Sequence, residues 1–368
     1  MSKAQREAVH QLVRETPLDF TADLTDTRVL FGQLQTATPL SCDVQLTEST
    51  LGDIPVVEID IAGIDTGDVV LYFHGGGYAV GSASGGAGLA SDIARRAHAR
   101  AIAVEYRLAP EHPHPAATDD ALAAYRALLD SGVPPERIAF AGESAGGGLV
   151  LATLLNAKRA GLPQPRAAIV MSPWVDLTNT RASRATRAAA DPALTPRDLE
   201  ACAAYYAGTA DPADPLVSPL FGDLEGLPPL LIQVGSDEIL LDDAIDFAAR
   251  AASSDVSVQL DVTPEVPHVF QGMAAILDEA VQALDRAGAF LRSQFGVEEH
   301  GTERSGQRPT QRELADHTDL EALYTSKLAR TLDAGGLLRH DRDTADPRAI
   351  LHGVTGGAAE PGVSFGAV

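Results

Sequence analysis

The chain predicts an α/β fold, a mostly parallel sheet of about eight strands with helices on both faces, and three observations carry that expectation. From Val69 onward apolar runs read as strands (69–73, 101–106, 138–143, 167–172) alternate with helical stretches (87–98, 116–130, 145–160), the pattern of successive βαβ units. Two of these strands stop abruptly in glycine-rich runs, His74-Gly75-Gly76-Gly77 and Gly142-Glu143-Ser144-Ala145-Gly146. The 368 residues are 45% hydrophobic, enough for one large domain with a sizeable core.

The remaining elements follow in order. Strand-like runs at 42–47 and 54–60 precede any crossover helix, so an antiparallel opening pair is expected. After Trp174 the alternation breaks into a stretch rich in Ala, Asp, Pro and Arg, with one helix expected over Pro196 to Ala207. Strands at 230–234 and 256–262 and a helix over Ala274 to Phe295 then complete the core. Ahead of the sheet, Ala8, Val9, Leu12 and Val13 share one helical face and leave Arg6, Glu7 and Arg14 outside. The resulting division is an N-terminal cap segment (1–40), a core in two parts (41–174 and 229–296), a cap insertion (175–228) and an extension (297–368). The extension is charged, then Gly- and Ala-rich, and is expected to be disordered or to form one helix around Leu320, Tyr324, Leu328 and Leu332.

The two glycine runs supply the halves of an acyl-transfer site. Ser144 falls on the turn from a strand to a helix, where Gly142 and Gly146 remove the Cβ atoms that would collide and the serine takes a strained backbone angle with its hydroxyl exposed. In the first run, glycine amides can point into a cavity instead of pairing in the sheet. Joined by the amide of Ala145 at a helix N-terminus, they can meet a developing oxyanion. No phosphate-loop signature competes, because G-x-x-x-x-G-K-[ST] is absent.

A serine hydroxyl needs a base, and the base needs an orienting acid. With the order serine, acid, histidine expected for this turn type, His268 is the base, since it lies in a proline-pinned loop between strand and helix. For the acid, Asp237 comes at the C-terminal end of the 230–234 strand, where catalytic groups gather in open α/β sheets. Glu238 stands as its rival, whereas Asp242 and Asp243 read as helix-dipole partners. Over Tyr106 to Pro113, Arg107 and Glu111 are expected to pair across a proline-stiffened turn as a brace.

His74-Gly75-Gly76-Gly77-Tyr78, Tyr106 to Pro113, Gly142 to Gly147, Ser172-Pro173-Trp174 and Pro267-His268-Val269-Phe270 together resemble the hormone-sensitive-lipase-like esterases of the α/β-hydrolase superfamily. Within that family the wording is similar to bacterial carboxylesterases and monoterpene ε-lactone hydrolases, over about residues 50–296. The resemblance implies the α/β-hydrolase fold with a helical cap, in which the N-terminal helix packs with the 175–227 insertion. It implies Ser144 as nucleophile, His268 as base, Asp237 as acid, and Gly75, Gly76 and Ala145 as oxyanion donors. Glu143 and the run Asp237-Glu238-Ile239 depart from many relatives, which carry Asp before the serine and Asp-Pro-Leu at the acid.

Composition bounds the partners. A formal net charge of −23 argues against nucleic acid and anionic membrane surfaces. No run of eighteen apolar residues exists and the N-terminus is polar, so neither a span nor a secretory signal is expected. Cys42 and Cys202 are isolated thiols without metal-ligand spacing, which fits a cytoplasmic protein. The expected function is a serine hydrolase for neutral short- to medium-chain esters or lactones, with no metal and no organic cofactor; a homodimer is admitted. Its rivals are amide hydrolysis or acyl transfer to an alcohol, and a small-molecule receptor on a hydrolase fold, which the retention of all three triad residue types disfavours.

Overall fold

The computed structural model describes residues 3–37, 40–297, 338–342 and 350–354. Eight strands form one sheet: β1 (Val44–Leu51), β2 (Ile54–Ile61), β3 (Val69–Phe73), β4 (Arg100–Val104), β5 (Ile138–Glu143), β6 (Ala167–Met171), β7 (Leu230–Gly235) and β8 (Val258–Thr263). Their order is β1-β2-β4-β3-β5-β6-β7-β8. β2 runs antiparallel to β1 and to β4, and every later pairing is parallel. This is the α/β-hydrolase fold expected from the sequence, down to the antiparallel opening pair.

Both faces of the sheet are covered, so β3, β5, β6 and β7 are buried at every residue and read as continuous apolar runs. Alternation along β3 sorts its side chains. Val69, Leu71 and Phe73 pack on one face with α4 (Ala116–Asp130), α5 (Ala145–Arg159) and α8 (Leu241–Ser253), while Val70 and Tyr72 pack on the other with α3 (Ala87–Ala97) and α9 (Asp278–Phe295). α9 begins at Asp278, four residues later than its expected start, because residues 274–276 form a turn after the 3-10 turn Phe270–Met273.

The 175–227 insertion holds α6 (Ser183–Thr186) and α7 (Pro196–Ala207). α7 spans the predicted residues: Pro196 opens it, and Thr195 and Asp198 cap it reciprocally. Two arginines tie the insertion to α8, Arg184 on buried Asp243 at 2.8 Å and Arg181 on Asp246 at 2.8 Å, and Arg181 also holds Asp176 of the insertion at 2.8 Å.

Two expectations about pairing are corrected. Arg107 does not pair with Glu111. It grips Asp120 of α4 at 2.7 Å, and Glu111 pairs instead with Arg28 of α2 (Leu24–Gln35) at 2.6 Å. The segment still braces the scaffold, but across elements and not within its own turn. The first helix, α1 (Lys3–Glu15), also docks differently. Val9 is fully buried among Val266, Phe270, Leu277, Ala280 and Ala283, so α1 lies on the loop before α9 and on α9 itself. Ala8 is exposed, whereas Arg6, expected outside, turns inward to Glu279 at 2.7 Å and to Glu265 at 2.8 Å. The physical reason is Glu279, a carboxylate only 3% exposed that requires a cation. It is Phe20, in the segment between α1 and α2, that meets the insertion, packing on its apolar cluster and donating its amide to Asp198 at 3.3 Å.

Contacts divide the chain into two units, 1–302 and 303–368. In the second, the described residues form an antiparallel pair, β9 (Leu338–Arg342) with β10 (Ile350–Val354), which the sequence reading did not foresee. The helix expected around Leu320 to Leu332 lies outside the described residues. No helix among the described residues is long and apolar enough to cross a membrane.

The Arg6 contact generates a stability prediction. Arg6→Ala leaves the buried Glu279 carboxylate without its cation and should destabilise the first unit by about 1–3 kcal/mol, the cost of an unpaired buried polar group. Arg6→Ala combined with Glu279→Leu should recover most of that loss. Urea unfolding midpoints measure both, and an unchanged midpoint in the single variant would contradict the docking of α1 described here.

Candidate active site

The site begins with a close approach of backbone. β5 ends at Glu143 and α5 starts at Ala145, so Ser144 takes the whole turn between them, at φ 54° and ψ −122°. A Cβ at Gly146 would stand 2.1 Å from the carbonyl oxygen of Phe73, and one at Gly142 would stand 2.6 Å from that of Gly146, so only glycine fits at either place. The strained serine is held on both sides. Its amide donates to Met171 O at 2.9 Å, and its carbonyl accepts from the amides of Trp174 and Gly148, both at 3.0 Å.

His268 reaches this turn from the loop between β8 and α9. Its Nε2 lies 2.9 Å from Ser144 Oγ and its Nδ1 lies 2.7 Å from Glu238 Oε2. The structure therefore brings Ser144 and His268 together and places Glu238, not Asp237, at the second ring nitrogen. Asp237 turns away, toward Ser236 Oγ at 3.2 Å and toward His10 of α1 at 3.6 Å. The reason is the backbone just after β7: Glu238 is fully buried, and its Oε1 accepts from the amide of Gly235 at 2.7 Å and from Ser172 Oγ at 2.8 Å. Three partners thus fix one carboxylate, whereas Asp237 remains at the rim.

The environment sets the charge of the imidazole. Burial works to lower the His268 pKa, but the hydrogen bond and the negative charge of Glu238, with smaller help from Asp191 and Glu143, outweigh it and leave it above the ordinary value. Asp191, in the insertion, accepts from the amide of Ile239 at 2.8 Å and so holds the residue that follows Glu238. Ser172, itself at φ 46°, is a second fixture: besides donating to Glu238 it accepts from the amide of Val269 at 3.1 Å, joining the acid to the histidine's neighbour. Sequence reasoning singled out Ser172 only as part of the Ser172-Pro173-Trp174 wording.

The glycine run after β3 lies against the same turn, since a Cβ on Gly75 would stand 3.2 Å from Ser144 Cβ. Its donors are not all free. The Gly75 amide donates to Glu143 Oε1 at 2.7 Å, so Gly75 does not offer the donor expected of it. Among the described residues, the amides of Gly76, Gly77 and Ala145 have no protein acceptor. Gly76 and Gly77 both hold positive φ, 114° and 60°. Cys202 of α7 sits over this loop: a Cβ on Gly77 would stand 2.5 Å from its sulfur. His74 packs flat on Tyr106, with ring centroids 4.3 Å apart, and its burial pushes its pKa down to about 4, so it is neutral.

Comparisons with known proteins agree with this architecture. A protein family described as alpha/beta hydrolase fold matches residues 70–272. The chain is similar to an acetyl-hydrolase of Streptomyces hygroscopicus, 46% identical over 230 residues that make up 62% of this chain and 77% of that protein. It is also similar to an esterase of Acinetobacter venetianus, 38% identical over 267 residues, 72% of this chain and 88% of that one. Among solved structures, an esterase from the bacterial hormone-sensitive lipase family superposes with a TM-score of 0.77 at 41% identity, covering 80% of this chain and all of the other.

The contacts of His268 predict its titration. With Glu238 in place the imidazole should titrate above the unperturbed value of about 6.5. In Glu238→Gln the desolvation of the buried ring is no longer offset by that charge, so the pKa should fall. Asp237→Asn, which changes a residue off the ring, should move it far less. Histidine ring resonances followed by NMR against pH measure all three, and a larger fall in Asp237→Asn would return the pairing to Asp237.

Proposed function

We propose that this chain, which belongs to the alpha/beta-hydrolase fold family, is a serine hydrolase of neutral short- to medium-chain carboxylic esters or lactones. One observation carries the reading: Ser144 Oγ, the His268 ring and the Glu238 carboxylate form a continuous hydrogen-bonded line of 2.9 and 2.7 Å. In the proposed cycle His268 Nε2 takes the Ser144 proton as Oγ attacks the ester carbonyl, and Glu238 stabilises the imidazolium that forms. The oxygen that becomes negative is received by the amides of Ala145, Gly76 and Gly77. Collapse of the tetrahedral intermediate expels the alcohol, which takes the proton from His268 and leaves an acyl group on Ser144. Water, deprotonated by the same imidazole, then attacks the acyl carbon, and Ser144 recovers its proton as the acid departs. These residues supply both nucleophile activation and charge stabilisation, so the cycle is written without a cofactor or metal.

Cys202 and Phe20 close over Gly77, so the oxyanion loop is covered on that side, which supports a compact acyl group. The name of the similar acetyl-hydrolase supports a small acyl group. The acidic net charge and the absence of paired cysteines support a cytoplasmic enzyme of small molecules, with neither a nucleic-acid nor a membrane partner.

Two experiments test this. An active-site-directed fluorophosphonate should label Ser144, and Ser144→Ala should keep the fold but abolish both labelling and turnover of a short aryl ester. Among the acids, Glu238→Gln should lose on the order of 10³ to 10⁴ in kcat by presenting the wrong imidazole tautomer, with Asp237→Asn close to the parent enzyme. Turnover retained in Ser144→Ala sinks the nucleophile, and the opposite ranking of the acids sinks the role of Glu238. On the substrate side, kcat/KM should fall steeply from short esters to emulsified long-chain triglycerides.

A further inference from the structure

Glu143 is a buried carboxylate for which the proposed cycle has no step. It precedes the nucleophile, is 7% exposed, and has both oxygens engaged. Oε2 accepts from the hydroxyl of Tyr72 on β3, and Oε1 accepts from the amide of Gly75 at 2.7 Å. Burial pushes its pKa up to about 7, which the Tyr72 and Gly75 hydrogen bonds oppose. Keeping such a group in place of an apolar residue is costly unless its hydrogen bonds accomplish something.

Its partner is the point at which the glycine run leaves the sheet. On either side of Gly75 the run is tied by its oxygens: Gly76 O accepts from the amides of Ala79 and Val80, both at 3.0 Å, and the carbonyl of His74 accepts from Tyr106 at 2.7 Å. Gly75 is held through both backbone groups: its carbonyl lies 2.8 Å from His74 Nδ1, and its amide is held by Glu143. Because Glu143 is the residue bonded to Ser144, one rigid side chain spans the nucleophile's strand and the loop facing it.

We infer that Glu143 is a positioning residue whose carboxylate, by holding the Gly75 amide, fixes the glycine loop so that the Gly76 and Gly77 amides face the oxygen of the reacting carbonyl. This rests on the proposed hydrolase reading. It explains why the first glycine of the run cannot itself be a donor: its N–H is the anchor. A donor that must find its position during the reaction stabilises the transition state less than one already held there.

Glu143→Met tests the inference, because it keeps the length of the side chain and removes both acceptors. Loss of a whole oxyanion donor costs about 10²–10³ in kcat, so a loosened loop should cost roughly 10- to 100-fold. The loss should fall on kcat, with KM for a short ester within about twofold. The inhibition constant of an aryl trifluoromethyl ketone, which binds Ser144 as a hemiketal oxyanion, should rise by a similar factor. Glu143→Gln, whose side-chain carbonyl can still accept from Gly75 while its amide donates to Tyr72, should restore most of kcat. If Glu143→Met does not fold, the double variant with Tyr72→Phe removes the stranded hydroxyl and takes its place in the comparison. Unchanged kcat and ketone affinity in the Met variant, or equal impairment of Gln and Met, overturns the inference. Failure of the wild-type protein to hydrolyse esters or to react at Ser144 with a fluorophosphonate overturns the underlying hydrolase reading instead, so the two failures are told apart.

Discussion

The rest of the site depends on how closely the end of β3 approaches the turn from β5 to α5. With Gly146 against the carbonyls of Phe73 and His74, and Gly142 against Gly146, strand, helix and loop lie at backbone contact distance, closer than any side chain would permit. That contact forces Ser144 into a positive φ and projects its hydroxyl out of the turn. It also brings the glycine run within reach of Glu143, so the same constraint that presents the nucleophile sets the facing amides. The strain at Ser144 is local, and the buried parallel strands β3, β5 and β6 on either side are what hold it.

The second limb of the site is assembled from further along the chain. Glu238 leaves β7 and is caught by Gly235 and Ser172, Ser172 also holds Val269, and Asp191 of the insertion holds Ile239. Residues 175–227 therefore take part in holding the acid. Ile239 has its amide on Asp191 and its carbonyl on Ser183 Oγ at 2.7 Å, so the insertion grips the backbone one residue beyond the acid. On the opposite side α1 packs Val9 against Val266 and Phe270, which flank His268 in sequence. Elements distant in sequence thus converge on the histidine loop, which holds only the short 3-10 turn Phe270–Met273 as regular structure.

What was legible in the sequence follows from this division. Ser144 and His268 could be read because each sits in a local pattern, glycines around a strand-to-helix turn and a proline-pinned loop before a helix. The acid could not be decided that way. Asp237 and Glu238 are adjacent at the end of one strand, and the choice between them depends on Ser172 and Gly235, which pattern does not connect. One signal does separate them: Glu238 leads into Ile239 and Leu240, both fully buried, whereas Asp237 follows Ser236 at the rim. A carboxylate adjoining an apolar run is the one that must find partners inside. The same blindness to tertiary partners explains α1, where the apolar stripe was visible but buried Glu279, which turns Arg6 inward, was not. It explains Gly75 as well, whose amide is committed to a carboxylate that the sequence marked only as a departure from relatives.

Placing three buried carboxylates, Glu238, Asp191 and Glu143, around one imidazole has consequences of opposite sign for the two charges formed in ester cleavage. All three favour the imidazolium, which is why the ring titrates above its ordinary value despite its burial. The same charges oppose an oxyanion on the far side of Ser144. For two of them the conflict is reduced by hydrogen bonds from Gly235, Ser172 and the insertion's own amides. Glu143 is the one beside the oxyanion loop, and its charge is drawn off by Tyr72 on one oxygen and Gly75 on the other, while burial raises its pKa toward neutrality. A carboxylate so compensated helps the base with little penalty at the oxyanion, because the amide that screens it belongs to the same loop whose next two amides receive the negative charge.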